Sequence, residues 1–173
     1  MAFAFEVETG AGSPSSNSYV GLDEAETVAE ENLRHRESWA LMDDEERQRA
    51  LVYATRILDA SYIWNGKRAG KDQALAWPRV EVLDQEGDEL PSDALPRSLR
   101  SATVFMAIHS IGNDPLSIES KRRLSSVSAD GLKASFREDS FGVPTIVPDF
   151  VRYLLIGIGT AREAIRSARI IRT

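Results

Sequence analysis

Hydrophobic residues recur every three or four positions in the middle of the chain, which is the spacing of one face of a helix. The pattern is carried by Leu51, Ala54, Leu58 and Tyr62. Asp43 and Glu46 stand three residues apart just before it and predict a capping box at the start of the helix. Asn65-Gly66 provides a stop signal, so this helix is expected to end near Trp64.

Three further helices are predicted, each after a residue that can begin a helix. They are expected to cover residues 22–33 after Gly21, residues 96–111 from Pro96, and residues 149–156 after Pro148. Apolar spacing in the second of them places His109 on its buried side, together with Leu99 and Met106. The core is therefore expected to be helical.

Alternation of apolar and polar residues, which is typical of strands, is confined to short segments. Residues 2–8 predict one strand and residues 18–20 a second. Asp130-Gly131 lies between two short alternating runs and predicts a β-hairpin turn. Residues 65–92 are expected to be irregular. The predicted fold class is mainly α: a small bundle of about four helices with short β-strands, a β-hairpin and a C-terminal tail.

Charge is distributed unevenly along the 173 residues, whose net charge is −6. Residues 1–50 have a net charge of −8, whereas residues 151–173 have a net charge of +4. The acidic surplus argues against nucleic-acid binding by the whole surface, and the unlike ends suggest an assembly with complementary surfaces. Chance variation is the alternative. We divide the chain into a helical domain with an N-terminal strand or arm (residues 1–159) and a basic C-terminal tail (residues 160–173).

No pattern in the sequence carries catalysis or cofactor binding. Cysteine is absent, and the two histidines, His35 and His109, are far apart in the sequence. Phosphate-binding loops, nucleophile elbows and zinc-protease motifs do not occur. The acid pairs Asp43-Asp44 and Glu45-Glu46 are better explained by helix capping than by a metal site. We therefore expect no enzyme, no cofactor and no metal, and the lack of a long apolar run predicts no membrane span.

One segment has the composition of a nucleic-acid contact. Its candidate contact residues are Lys67, Arg68, Lys71 and Arg79. Trp64 and Trp77 are interleaved with them, and aromatic rings can stack on bases. The competing interpretation is that both tryptophans anchor a long loop to the core, and we favour it because tryptophan is seldom left exposed.

Several short motifs occur together in a fixed order. They are N-S-Y-V at 17–20, A-L-V-Y-A-T-R-I-L-D at 50–59, W-N-G at 64–66, A-L-A-W-P-R at 74–79 and L-P-R-S-L at 95–99, followed by the D-G hairpin. With these motifs the chain resembles the head–tail connector, or adaptor, proteins of long-tailed bacteriophages over roughly residues 15–156. Some members of that group are labelled DnaT-like single-stranded-DNA-binding proteins.

The resemblance implies a structural virion protein that is made in the cytoplasm of a bacterial host and located in the neck between head and tail. Its expected partners are further copies of itself in a dodecameric ring, the portal protein, the next neck or tail protein, and the packaged double-stranded DNA. Such a ring would extend the DNA channel beneath the portal and join the capsid to the tail.

The resemblance also implies that the C-terminal segment docks onto the portal. By position, the docking residues would be Arg162, Arg166, Arg169, Ile170, Ile171 and Arg172, and Asp130 and Gly131 would add contacts from the hairpin tip. A soluble, frayed terminus is the alternative for this segment. The alternative function for the whole chain is a single-stranded-DNA-binding module that uses Lys67, Arg68 and Lys71. The negative net charge and an aromatic content of 8% argue against it.

Overall fold

A computed structural model describes residues 3–31, 36–84, 86–111, 126–129, 132–135 and 146–162 of the chain. Within these ranges the helices are α1 (Leu22–Glu30), α2 (Arg36–Ala40), α3 (Asp44–Ser61), α4 (Arg97–Ser110) and α5 (Asp149–Leu154). The strands are β1 (Tyr62–Trp64), β2 (Lys67–Arg68), β3 (Arg79–Val80), β4 (Ser126–Ala129), β5 (Leu132–Ser135) and β6 (Gly159–Ala161). They pair as two-stranded antiparallel sheets: β1 with β6, β2 with β3, and β4 with β5.

The longest helix, α3, begins at the predicted capping box. The Asp43 carboxylate accepts a hydrogen bond from the Glu46 N–H (2.8 Å), and the Glu46 carboxylate accepts one from the Asp43 N–H (3.0 Å). The helix ends at Ser61, earlier than predicted, because Tyr62 is extended (φ −114°, ψ 149°) and begins β1. The predicted start of the helix is therefore confirmed. The predicted end near Trp64 is wrong, because residues 62–64 form a strand.

The core forms where α4 packs against α3, α1 and α5. Its largest fully buried side chains include Tyr19, Leu51, Leu58, Trp77, Leu99, Met106 and Leu155. Burial of an apolar side chain of this size stabilises the fold by about 1.5–3 kcal/mol. His109 is exposed, contrary to the prediction, because it lies on the outer side of α4 while Met106 and Ile108 point inward.

The β1–β6 sheet joins the end of α3 to a segment far along the chain. Tyr62 pairs with Ala161 and Trp64 with Gly159. The rings of Tyr62 and Trp64 stack with their centroids 5.0 Å apart. A Cβ on Gly159 would lie 2.8 Å from the Trp64 ring, so the absence of a side chain there lets the two strands approach.

The N-terminal segment is held by a buried carboxylate and does not form the two predicted strands. Its only ladder contact within the described residues is a parallel bridge between Val7 and Ser18. Glu8 is buried and accepts hydrogen bonds from the N–H groups of Gly10 (2.8 Å), Gly12 (3.0 Å) and Ser13 (2.9 Å) and from the Ser16 hydroxyl (2.8 Å). The loop therefore wraps around Glu8, and this wrapping replaces regular strand pairing.

The fold is mixed, and the predicted mainly α class is wrong. Strands β1 and β6 replace the expected helix end and the start of the expected tail, and β2 and β3 lie in the segment expected to be irregular. The α2 helix was not predicted, and α5 stops at Leu154. In the hairpin, Ala129 pairs with Leu132. The predicted tip, Asp130 and Gly131, lies outside the described residues.

Candidate nucleic-acid interface

Three of the predicted cationic residues lie on one exposed loop, residues 67–71, which we call the basic loop. Lys67, Arg68 and Lys71 are all exposed. The Lys67 ammonium pairs with the Glu81 carboxylate at 2.8 Å. Neither Arg68 nor Lys71 forms an ion pair with any carboxylate in the described part of the chain. Two cations of the basic loop are therefore available to an anionic ligand.

Two polar side chains, Gln73 and Arg79, hold the basic loop and the backbone on either side of it. The buried Gln73 accepts a hydrogen bond from the Gly70 N–H (2.8 Å) and donates to the carbonyls of Leu75 (2.8 Å) and Pro78 (3.1 Å). Arg79 donates to the carbonyls of Asn65 (2.6 Å), Gly66 (2.7 Å) and Ala76 (3.0 Å). Its guanidinium thus holds backbone, and we assign it to the scaffold of the loop.

The two tryptophans that flank the basic loop belong to the core. Trp64 is 8% exposed and Trp77 is fully buried, and their rings meet edge to face with centroids 6.0 Å apart. Neither ring can stack on a base in this conformation. The core-anchor interpretation of the sequence is therefore confirmed for both residues.

A buried tyrosine–carboxylate pair connects residues 76 and 77, which follow the basic loop, to α3. The Tyr19 hydroxyl donates to Asp59 Oδ1 (2.6 Å) and accepts from the Trp77 N–H (3.3 Å), while the Ala76 N–H donates to Asp59 Oδ2 (3.0 Å). Burial raises the pKa of Asp59, although its hydrogen bonds and the nearby charge of Arg68 act in the opposite direction. Burial, followed by the charge of Asp59, raises the pKa of Tyr19 well above its ordinary value.

A groove of about 760 Å³ lies along α3 and combines aromatic with cationic side chains. We call it the α3 groove, and its walls include Phe3, Met42, Arg49, Tyr53, Arg56 and Ile111. The Arg49 guanidinium lies 4.7 Å from the centroid of the Phe3 ring and pairs with Glu45. Arg56 is exposed and forms no ion pair within the residues described.

The α3 groove was not predicted from the sequence, although three of its residues show a helical spacing. Arg49, Tyr53 and Arg56 follow one another at spacings of four and three residues, which places them on one helix face. These positions lie on the outer side of the helix that the sequence predicts best. Phe3 carries no such signal, because only the tertiary fold brings the N-terminal segment to α3.

The residues expected to dock onto the portal are mostly outside the described structure. Arg162 is exposed directly after β6. The other residues of that set, Arg166, Arg169, Ile170, Ile171 and Arg172, are not described. The division of the chain at residue 159 stays a prediction.

Metal-ligand clusters and membrane-spanning helices are both absent from the described residues. Among them, no group of three or more histidine, aspartate or glutamate side chains could hold a metal ion. In the same ranges no helix has the length and apolar character needed to cross a membrane.

Comparison with known proteins assigns the chain to a family. The family described as "Putative DnaT-like ssDNA binding protein" matches residues 3–173. The chain therefore belongs to this DnaT-like family. Neither the curated proteins nor the solved structures yielded a match.

This family match corrects the functional prediction from the sequence. The matching family is the DnaT-like one and is not a head–tail connector family. The predicted role as a virion connector is therefore wrong, and so are its partners: the dodecameric ring, the portal, the next neck or tail protein and the packaged double-stranded DNA. The expected synthesis in a host cytoplasm and location in a virion neck were not tested.

The structure shows why the sequence motifs are not evidence for a connector function. In A-L-A-W-P-R, Trp77 fills the core and Arg79 binds backbone carbonyls. In T-R-I-L-D, Asp59 holds Tyr19 and the Ala76 N–H. These residues build the fold, so they identify a family without indicating what its members assemble with.

Proposed function

We propose that this chain is a single-stranded-DNA-binding protein without catalytic activity. The observation that carries the proposal is membership of the DnaT-like family over residues 3–173. The basic loop supports it, because lysine and arginine side chains that neutralise phosphates release counterions and so favour binding. Arg68 and Lys71 are the principal phosphate contacts, with Lys67 shared between Glu81 and the strand.

The rigidity of the basic loop favours binding. Gln73 accepts a hydrogen bond from the Gly70 N–H of the loop, and five further hydrogen bonds from Gln73 and Arg79 hold the backbone on either side of the loop before any ligand arrives. A preorganised loop loses less conformational entropy when it binds, so more of the interaction energy appears as affinity. The net charge of −6 confines the strand to such local cationic surfaces.

A small number of phosphate contacts implies that the binding constant depends only weakly on salt concentration. Each phosphate contact to a single strand contributes about −0.7 to the slope of log K against log salt concentration. The Arg68→Ala and Lys71→Ala variants are therefore each expected to lower the magnitude of the slope by about 0.7. Fluorescence anisotropy of a labelled oligothymidylate across a salt series measures this.

Arg97→Ala is the matched control, because Arg97 is exposed, has no ion pair among the described side chains and lies outside the basic loop. It removes one positive charge and should leave the slope unchanged. Equal effects of Arg68→Ala and Arg97→Ala would show that only net charge matters and would reject the loop as the contact. Absence of binding by the unaltered chain at low salt would reject the proposed function itself.

A further inference from the structure

We infer that the α3 groove binds the bases of the single strand, by stacking them against Phe3 and Tyr53 while Arg49 and Arg56 contact the adjoining phosphates. The inference rests on the proposed function, because it names the surface on which that function recognises unpaired bases. It assigns base binding to a different place from the segment flanked by the two tryptophans.

The walls of the groove have the chemistry that an unpaired base requires. Phe3 and Tyr53 present aromatic rings, and Met42 and Ile111 add apolar surface. A base has an apolar face whatever its sequence, so stacking on such rings is tolerant of sequence. The Arg49 guanidinium packs on one face of the Phe3 ring, so a base that stacks on that face would displace the guanidinium toward the adjoining phosphate.

The cations of the groove are placed along the path of a strand. Arg49 and Arg56 are seven residues apart on one face of α3, which corresponds to about 10 Å along the helix axis. Tyr53 lies between them. A strand laid along α3 would therefore meet a cation, a ring and a second cation in succession, and this order matches the alternation of phosphates and bases.

The groove also leads toward the basic loop. Asp59 lies three residues beyond Arg56 on α3, and Arg68 is near enough for its charge to act on the Asp59 carboxylate. A strand that leaves the groove past Arg56 thus approaches Arg68. On this inference a single strand would extend from the α3 groove toward the basic loop.

A second exposed apolar surface lacks this combination. Phe150, Tyr153 and Ile156 are exposed at and just beyond α5. However, Phe150 packs edge to face on Phe105, and the neighbouring Arg152 pairs with Asp149 at 3.3 Å. That arginine is therefore paired, as Arg49 of the α3 groove is with Glu45. The α3 groove also has Arg56, which forms no ion pair within the described residues, and it is therefore the better match to a nucleic-acid strand.

The test compares a labelled oligothymidylate with an abasic strand of the same length. The unaltered chain should bind the oligothymidylate more tightly. Tyr53→Ala should weaken oligothymidylate binding about fivefold or more, leave the abasic strand unaffected and leave the salt slope unchanged. Tyr53→Phe, which keeps the ring, should bind like the unaltered chain. Arg56→Ala should reduce the magnitude of the salt slope by about 0.7 for both strands, and Arg97→Ala should not.

The outcomes separate this inference from the proposed function. If the unaltered chain binds neither strand, the proposed function fails. If it binds oligothymidylate but Tyr53→Ala and Arg56→Ala bind equally well, the function stands and the groove inference is overturned. Tyr53 is half-buried, so thermal unfolding must accompany the assay. If Tyr53→Ala does not fold, Phe3→Ala and the exposed Arg56→Ala decide the question by the same criteria.

Discussion

Glu8 is a buried acidic residue whose carboxylate holds the N-terminal loop through hydrogen bonds. Its carboxylate is buried and accepts hydrogen bonds from Ser16 and from three backbone N–H groups of the surrounding loop. Burial raises the pKa of this carboxyl, but the hydrogen bond from Ser16 and those from the backbone outweigh it, so the pKa lies below its ordinary value of 4.5. The ionised form therefore stabilises the native state.

This depressed pKa predicts how stability depends on pH. The unfolded chain takes up a proton at Glu8 at a higher pH than the folded chain does, so the stabilisation is present above about pH 4.5 and is lost as the pH falls through the folded value. Glu8→Gln should lower the thermal unfolding midpoint at neutral pH, and the difference from the unaltered chain should shrink on acidification. Glu6→Gln, at an exposed position two residues earlier, is the control. A difference that stays constant with pH would contradict the assignment.

For single residues, the sequence predicts the burial of large aromatic side chains better than it predicts networks of hydrogen bonds. Trp64 and Trp77 could be placed in the core because large aromatic side chains are seldom left in water. Glu6 and Glu8 occupy equivalent places in an alternating pattern, yet Glu8 is buried and Glu6 is exposed. Nothing local distinguishes them, since the partners of Glu8 depend on how the following loop folds back.

Some secondary-structure elements are determined by residues within or next to the element, and others by residues far along the chain. The capping box and the apolar spacing of α3 are both formed by residues of the helix and its N-cap, so the start of the helix and its buried face could be predicted. Strands β1 and β6 are three residues each and are stabilised by pairing across a long stretch of chain. Tyr62 therefore continues the helical spacing in the sequence while it belongs to a strand in the structure.

The turn between β1 and β2 depends on a glycine, Gly66. Gly66 has φ +66°, and a Cβ there would lie 2.1 Å from the carbonyl oxygen of Val80, in the strand that pairs with β2. Gly66→Ala should therefore displace the basic loop, lower the free energy of unfolding by about 1 kcal/mol or more and weaken oligothymidylate binding. Chemical denaturation and anisotropy measure the two effects.

Gly87→Ala is the matched control for that experiment. Gly87 also has a positive φ, +90°, but a Cβ there would meet nothing within 4 Å. This variant should therefore show the backbone strain without the collision and should bind the oligothymidylate normally. Equal behaviour of the two variants would mean that the close approach at Gly66 does not position the basic loop.

For the whole molecule, average composition is a poor guide to function. A net charge of −6 argued against nucleic-acid binding, but Arg56, Arg68 and Lys71 are exposed on the surface without ion pairs in the described ranges. Binding depends on the local field at such a surface. The sequence motifs suggested a head–tail connector, whereas the family that matches the chain is the DnaT-like one. The residues that compose the motifs hold the fold together, so they do not indicate what the protein binds.

The same surface predicts a preference for single strands over duplex DNA. Stacking in the α3 groove requires a base with a free face, and a base inside a duplex has none to offer. The cations of the basic loop would contact phosphates, which both forms of DNA present. The preference should therefore depend on Tyr53 more than on Lys71.

The most direct test of the account is a competition experiment with the unaltered chain. A labelled oligothymidylate is bound at low salt and displaced either by the unlabelled strand or by its duplex with oligodeoxyadenylate. The unlabelled single strand is expected to displace the label at a much lower concentration than the duplex does. Displacement at equal concentrations, or no binding to displace, would contradict the claim that this protein binds single-stranded DNA.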